Sequence, residues 1–195
     1  PQRVMPRQMW LLLGCASLFM GALANPGFSH LSVLFTSEGF SSATVALIIS
    51  GTGVMITLGK LVFGEATDHI GGGRSTLLFG GILVVGHVLC CLAFTQSLVL
   101  AVLTVLFLGH PIATMGPSVW SNDLAAPEQY PTVVRRLQVI YAGGALAFSS
   151  LPGILADHLG GYLPAYLLFT TINVLSLVCI ALSYRAGKTA RQPRS

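Results

Sequence analysis

The chain has 195 residues, 53% of them hydrophobic and only 8% Asp, Glu, Lys or Arg, against about a quarter charged in an ordinary soluble domain. A mean hydropathy of +0.78 excludes a water-soluble globule and a disordered chain, and 22 glycines without a triplet period exclude a collagen-like one. The net charge of +4 is spread too thinly to form the basic stripe that nucleic acid requires, which leaves the lipid bilayer as the solvent. Cys15, Cys90, Cys91 and Cys179 all lie in apolar stretches without a C-x-x-C pair, so they read as small core residues and not as a metal site or a disulfide framework.

The uncharged runs define the elements in chain order. Thirty residues without charge separate Arg7 from Glu38, 21 separate Glu38 from Lys60, 48 separate Arg74 from Asp123, 20 separate Arg136 from Asp157, and 27 separate Asp157 from Arg185. Crossing about 30 Å of hydrocarbon at 1.5 Å per residue takes roughly 20 residues. The longest run therefore holds two spans, divided at the polar Thr95-Gln96-Ser97. The expectation is an all-α, polytopic membrane protein: a tail over 1–9, a bundle over 10–183 with spans at about 10–32, 42–63, 75–94, 98–120, 134–155 and 162–183, and a basic tail over 184–195.

Six crossings return both tails to one side. Arg3, Arg7, Arg74, Arg135, Arg136 and the last-tail Arg185, Lys188, Arg191 and Arg194 fall on that side, with Lys60 just inside its boundary. The opposite loops carry Glu38 and Asp157 and no Lys or Arg. The positive-inside rule makes both ends cytoplasmic, in a multi-pass protein of a plasma or inner membrane. Pro1 stands where a start Met is usual, which fits a fragment.

Small residues recur within the spans, at Gly51, Gly53, Gly59 and Gly64 in the second and at Gly143, Gly144, Ala145 and Ala147 in the fifth. Such stripes let helix backbones approach closely where no hydrophobic drive exists between helices. Proline and glycine interrupt the first span at Asn25-Pro26-Gly27, the fourth at His110-Pro111 and Gly116-Pro117, and the fifth at Pro152-Gly153. Backbone groups freed at such breaks need protein or water partners. The first and fourth spans are broken alike, the pattern of two three-helix inverted repeats with broken helices beside a transport path.

The segment Gly64-Glu65-Ala66-Thr67-Asp68-His69-Ile70-Gly71-Gly72-Gly73-Arg74 is read as the loop between the second and third spans. It resembles the G-x-x-x-D-R-x-G-R-R loop of the major facilitator superfamily, with Gly64, Asp68 and Gly71 in register and Arg74 one position late. Phe28-Ser29-His30-Leu31 with Glu38-Gly39-Phe40-Ser41, and Leu151-Pro152-Gly153 through Asp157-His158-Leu159-Gly160-Gly161-Tyr162, look like two segments of the monocarboxylate and oxalate/formate-type carriers of that superfamily. The resemblance implies the carboxy-terminal six-helix half of a twelve-helix transporter, with Gly64, Asp68, Gly71 and Arg74 closing its cytoplasmic side. It implies an amino-terminal half, or a second copy, as partner.

The resemblance also places Lys60, four residues before Gly64, at the substrate-anion position. The aspartate that family members carry four residues earlier is Ile56 here, and lysine replaces the bidentate arginine fork. Lysine one turn from the boundary can alternatively snorkel to the interface. His110, beside Pro111, and Asn25, at the first break, are expected to bind substrate together with Tyr141, whose other reading is helix glue; His30, near the outer end, is a proton-relay candidate. His87 is read as a hydrogen-bonded packing residue and Trp120 as an interfacial anchor.

Enzymatic readings lack their motifs. Ile48-Ile49-Ser50-Gly51 is without the first glycine of an intramembrane serine protease site, and neither H-E-x-x-H nor G-x-x-x-x-G-K-[ST] occurs. No enzyme activity, cofactor or metal is expected. The reading is a secondary active transporter that moves a small solute, of the organic anion class, by alternating access, with a co-transported proton or a counter-anion. A six-helix channel or assembly subunit is the alternative.

Overall fold

The computed structural model describes residues 5–24 and 26–191, with side chains to Gly187. Asn25, Arg3 and Arg194 lie outside the described residues, as do the side chains of Lys188 and Arg191. Ten helices follow in order: α1 (Arg7–Ala24), α2 (Pro26–Ser29), α3 (Leu31–Ser37), α4 (Ser42–Ile70), α5 (Gly72–Cys90), α6 (Leu98–Leu108), α7 (Ile112–Leu124), α8 (Tyr130–Ala147), α9 (Leu151–Leu159) and α10 (Leu163–Arg191). A 3-10 turn at Ala93–Thr95 is the other helical element, and no strand occurs among the described residues. Six segments are long and apolar enough to cross a bilayer: Arg7–Ser29, Ser42–Ile70, Gly72–Cys90, Leu98–Leu124, Tyr130–Leu159 and Leu163–Gly187.

Turn chemistry sets several boundaries. Ser41 Oγ accepts the Thr44 N–H at 3.2 Å and Ser97 Oγ accepts the Leu100 N–H at 3.4 Å, capping α4 and α6. The division of the long apolar run falls at Gln96, in the left-handed region at φ +52°.

The stretch Gly64 to Arg74 is not a loop. Helix α4 continues through it to Ile70, supported by Thr67 Oγ1 donating to the Phe63 carbonyl at 2.8 Å and by a Glu65–His69 contact at 2.7 Å one turn apart. Loss of hydropathy marks where a helix leaves lipid, not where it stops, because polar side chains solvate an emerging turn equally well. The reversal takes a single residue, Gly71, at φ +82° and ψ +151°, a conformation that a side chain would oppose. For the same reason α10 runs past 183 to Arg191.

The proline breaks also differ from expectation. Pro117 lies inside α7 without interrupting it, and its carbonyl accepts the Ser121 hydroxyl at 2.6 Å. The fifth span breaks at Phe148–Ser150, and Pro152 begins the next helix, in the first turn where its missing N–H costs nothing.

Helix α1 is the hub, packed most extensively on α8 and α10. Its closest approach to α8 uses two glycines: a Cβ on Gly21 would collide with the Tyr141 carbonyl, and one on Gly144 with the Leu18 carbonyl. Helix α5 packs on α10, α6 and α4. Trp120 is fully buried, and its Nε1–H donates to Thr76 Oγ1 at 3.0 Å. It ties α7 to α5 and is not an interfacial anchor, because a hydroxyl on the facing helix supplies the partner that water would otherwise provide. The Tyr166 hydroxyl similarly ties α10 to α2 through the Gly27 carbonyl at 2.9 Å. The spans of α4 and of α8–α9 are the least covered of the six.

Gly144→Val should lower the stability of the purified protein in detergent by about 1–3 kcal/mol through overpacking. Gly143, with nothing within 4 Å of a Cβ, should accept the same change with a shift of about 0.5 kcal/mol or less. Equal unfolding midpoints for the two variants would contradict the α1–α8 approach.

Candidate functional site

The breaks in the first and fourth spans face one cavity. Helix α1 ends at Ala24 and α2 begins at Pro26, while α6 ends at Leu108 and α7 begins at Ile112. Between them lies a space of about 70 Å³ whose wall includes Leu23, Gly27, Ile56, His87, His110 and Thr114. Two glycines bring α4 up to it: a Cβ on Gly59 would strike the Gly109 carbonyl and the Pro111 ring, and one on Gly109 would strike Met55. The sequence Gly109-His110-Pro111 is therefore pressed against α4, which turns the His110 side chain toward α5, where its ring meets Phe79 edge-on at 5.2 Å.

His87 enters from α5, buried at 3% exposure. Its Nδ1 lies 2.9 Å from the Leu83 carbonyl. A carbonyl only accepts, so Nδ1 carries the proton and Nε2 holds the lone pair. Nε2 lies 3.7 Å from where a Cβ on Gly27 would be. The ring also packs at 67° to Phe169, centroids 6.4 Å apart. His87 is thus a hydrogen-bonded packing residue and a cavity residue at once. His110 Nδ1 is buried without a hydrogen-bond partner among the described residues. Among the described residues no charged side chain lines this space.

The other anticipated site residues are elsewhere. Lys60 is exposed on α4, one turn beyond Ile56 and outside the lining. Tyr141 is half-buried on α8, also outside it. His30 caps the start of α3 and donates from Nδ1 to the Pro26 carbonyl at 3.0 Å, with its ring 6.2 Å from Tyr162. Asn25 falls outside the described residues. Beyond α5, burial pushes the Cys91 thiol up, which keeps it from being a ready nucleophile. Among the described residues no three His, Cys, Asp or Glu side chains gather to hold a metal ion.

A second feature lies at the basic end of the bundle. Gly64 sits mid-helix with open space around it, and Asp68 is exposed with no hydrogen bond or ion pair among the described residues. The acid at the start of α5 is Asp123, from the end of α7: a Cβ on Gly72 would meet its carboxylate. The Tyr184 hydroxyl donates to Asp123 Oδ2 at 2.7 Å. A carboxylate beside the first amides of a helix meets unsatisfied donors and the positive end of the helix dipole. Arg74 and Arg185 flank the same cleft, of about 410 Å³. Asp123 and Tyr184 escape a sequence reading because they are 61 positions apart and form no local motif; the trace they leave is the glycine run at 71–73, which permits a carboxylate to come close.

A human protein named solute carrier family 67 member A1 is 31% identical over 173 residues, covering 85% of this chain and 40% of that relative. The chain thus spans about 40% of the relative's length. No family model matches the chain, and no solved structure does. Six membrane-length apolar segments together with similarity to a solute carrier describe a multi-pass membrane protein.

Tyr184→Phe removes a hydrogen bond to a charged group while preserving the ring, and should cost about 1.5–3 kcal/mol. Thermal unfolding in detergent would read this as a lowered midpoint. An unchanged midpoint would mean that the Asp123–Tyr184 contact contributes nothing to holding α7 and α10 together.

Proposed function

We propose that this chain is a six-helix half of a secondary active transporter that moves a small organic anion by alternating access. What supports the reading most is the meeting of two broken spans around one cavity, since helix breaks at membrane depth are tolerated where they line a path or a binding site. Similarity to a solute carrier points the same way. On this reading the chain is the carboxy-terminal half of a major facilitator-type carrier, nearest in motif to the monocarboxylate and oxalate/formate group. Its first and last three spans are inverted repeats, and it works against an amino-terminal half or a second copy. Both ends are cytoplasmic, and no enzymatic step is involved.

Lys60 supplies the cation for the substrate in this proposal, from the poorly covered α4 where the second half would pack. His110, Tyr141 and Asn25 offer further polar contacts. Gly71 and Arg74, with the Asp123–Tyr184 bond, form the closure at the cytoplasmic end; Gly64 and Asp68 belong to the helix leading into it. Alternating access then consists of making and breaking that closure as the two halves rock about the cavity.

The full-length protein in proteoliposomes should take up at least one member of a panel of labelled mono- and dicarboxylates, saturably and under an imposed pH gradient. Lys60→Ala should reduce that uptake about tenfold or more, equivalent to about 1.4 kcal/mol of lost anion binding. Unchanged kinetics would make Lys60 an interfacial residue, and ion currents faster than any carrier cycle would replace the carrier by a channel.

A further inference from the structure

We propose that His87 is the proton-carrying group of this carrier, so that anion and proton cross as a neutral pair; this rests on the transport reading above. The assignment starts from hydrogen-bond accounting. With Nδ1–H given to the Leu83 carbonyl, Nε2 is the one atom of His87 at which a proton can be added. Gly27, which has no side chain, keeps that atom facing open space. His110 stands in the same wall, its Nδ1 buried without a hydrogen-bond partner among the described residues. A cavity of about 70 Å³ is large enough for water, which needs two to four polar partners. His87 Nε2 provides one, and Thr114 Oγ1, which already donates to the Pro111 carbonyl at 2.9 Å, keeps its lone pairs as a second.

Among the described residues, the elements packed around His87 bring no charged side chain into the cavity wall; Lys60, one turn beyond Ile56 on α4, lies outside it. Helix α10 presents Phe169 and the Tyr166 hydroxyl, which is committed to the Gly27 carbonyl. Helix α2 presents Gly27, α1 Leu23, α6 Leu108 and α4 Ile56. On α5 itself Cys90 is buried nearby, and beyond its end the Cys91 thiol donates to the His87 carbonyl at 3.4 Å. No described lining group is a carboxylate, a lysine or an arginine. A proton added to Nε2 therefore creates a positive charge with no resident partner in an apolar surround, which is costly until an anion arrives. That cost couples the two: the carboxylate of the solute is the counter-charge that lets the protonated cavity close, and release of the anion on the other side releases the proton from the same nitrogen. His30 has no part in this step, because it lies outside the cavity wall.

The test compares His87→Asn with the wild type. The asparagine amide can still donate to the Leu83 carbonyl, but it has no titratable nitrogen. In proteoliposomes carrying the full-length protein and a trapped pH indicator, anion–anion exchange should vary with pH in the wild type, and whatever exchange His87→Asn retains should no longer do so. The variant should lose about tenfold or more of the accumulation driven by a pH gradient, together with the accompanying proton flux. Retained accumulation with its proton flux would overturn the assignment. So would residual exchange in His87→Asn that keeps the pH dependence of the wild type, which would put the titrating group elsewhere. If the wild type moves no anion at all, the transport reading fails alone. The proton site is then decided by 15N NMR of histidine-labelled protein in nanodiscs with acetate present: an Nε2 signal that is absent from His87→Asn and shifts between about pH 4 and about pH 9 supports it, and one that stays fixed over that range overturns it.

Discussion

In hydrocarbon, each backbone N–H and C=O must find its partner inside the protein, and this constraint decides where the chain can stop being a helix. At the break in the first span proline removes a donor, and the exposed carbonyls are taken up locally. The Pro26 carbonyl receives the His30 amide at 3.2 Å and the His30 ring at 3.0 Å, and the Gly27 carbonyl receives the Tyr166 hydroxyl. At the break in the fourth span the Pro111 carbonyl receives the amides of Thr114 and Met115 and the Thr114 hydroxyl. Among the described residues the buried side-chain atoms without a partner are Ser17 Oγ, Ser75 Oγ, His110 Nδ1 and the amide of Asn173, and of these residues His110 stands in the cavity wall, with His87.

Helices α5 and α7, which help wall this cavity, and α10, which packs on His87 through Phe169, also meet at the basic end. Helix α5 carries His87 toward one end and begins beside Asp123 at the other; α7 runs from the break to Asp123; α10 runs from Tyr166 and Phe169 to Tyr184. Their mutual contacts are glycine-mediated or interlocked, as where Leu177 occupies the space a Cβ on Gly80 would need and Tyr184 the space beside Gly73. Close packing of this kind resists gradual deformation and favours discrete alternatives. A shift of α10 relative to α5 and α7 is therefore felt both at Phe169, which packs on His87, and at the Asp123–Tyr184 bond.

The membrane class and the number of spans were legible from hydropathy and from sixteen charges, because solvation by lipid leaves its mark on every residue of a span. Pro26 and Pro111 showed where two helices break. Hydropathy could not show that α4 continues seven residues past the expected end, since an emerging helix turn and a loop are equally polar. Pro117 looked like a break and is not one. The cavity pairs His110 with His87, which the sequence suggested was only a packing residue: its spacing of four from Leu83 gives it a carbonyl partner but does not reveal what its other nitrogen faces. The acid at the basic end is Asp123, brought there by tertiary packing, and not only the Asp68 that stands within a recognisable motif.

Sided labelling tests the six-fold crossing, on which all of this depends, most directly. Single cysteines would be placed at Gly39, Ser97 and Gly160, and at Gly71 and Glu128, in a protein whose four native cysteines have been replaced, then exposed to a membrane-impermeant thiol reagent in sealed vesicles of known orientation. The account predicts that the first three react from one side and the last two only from the other. Reaction of Ser97 and Gly71 from the same side would contradict it, since α5 would then not cross the membrane and the cavity that it walls would not lie within it.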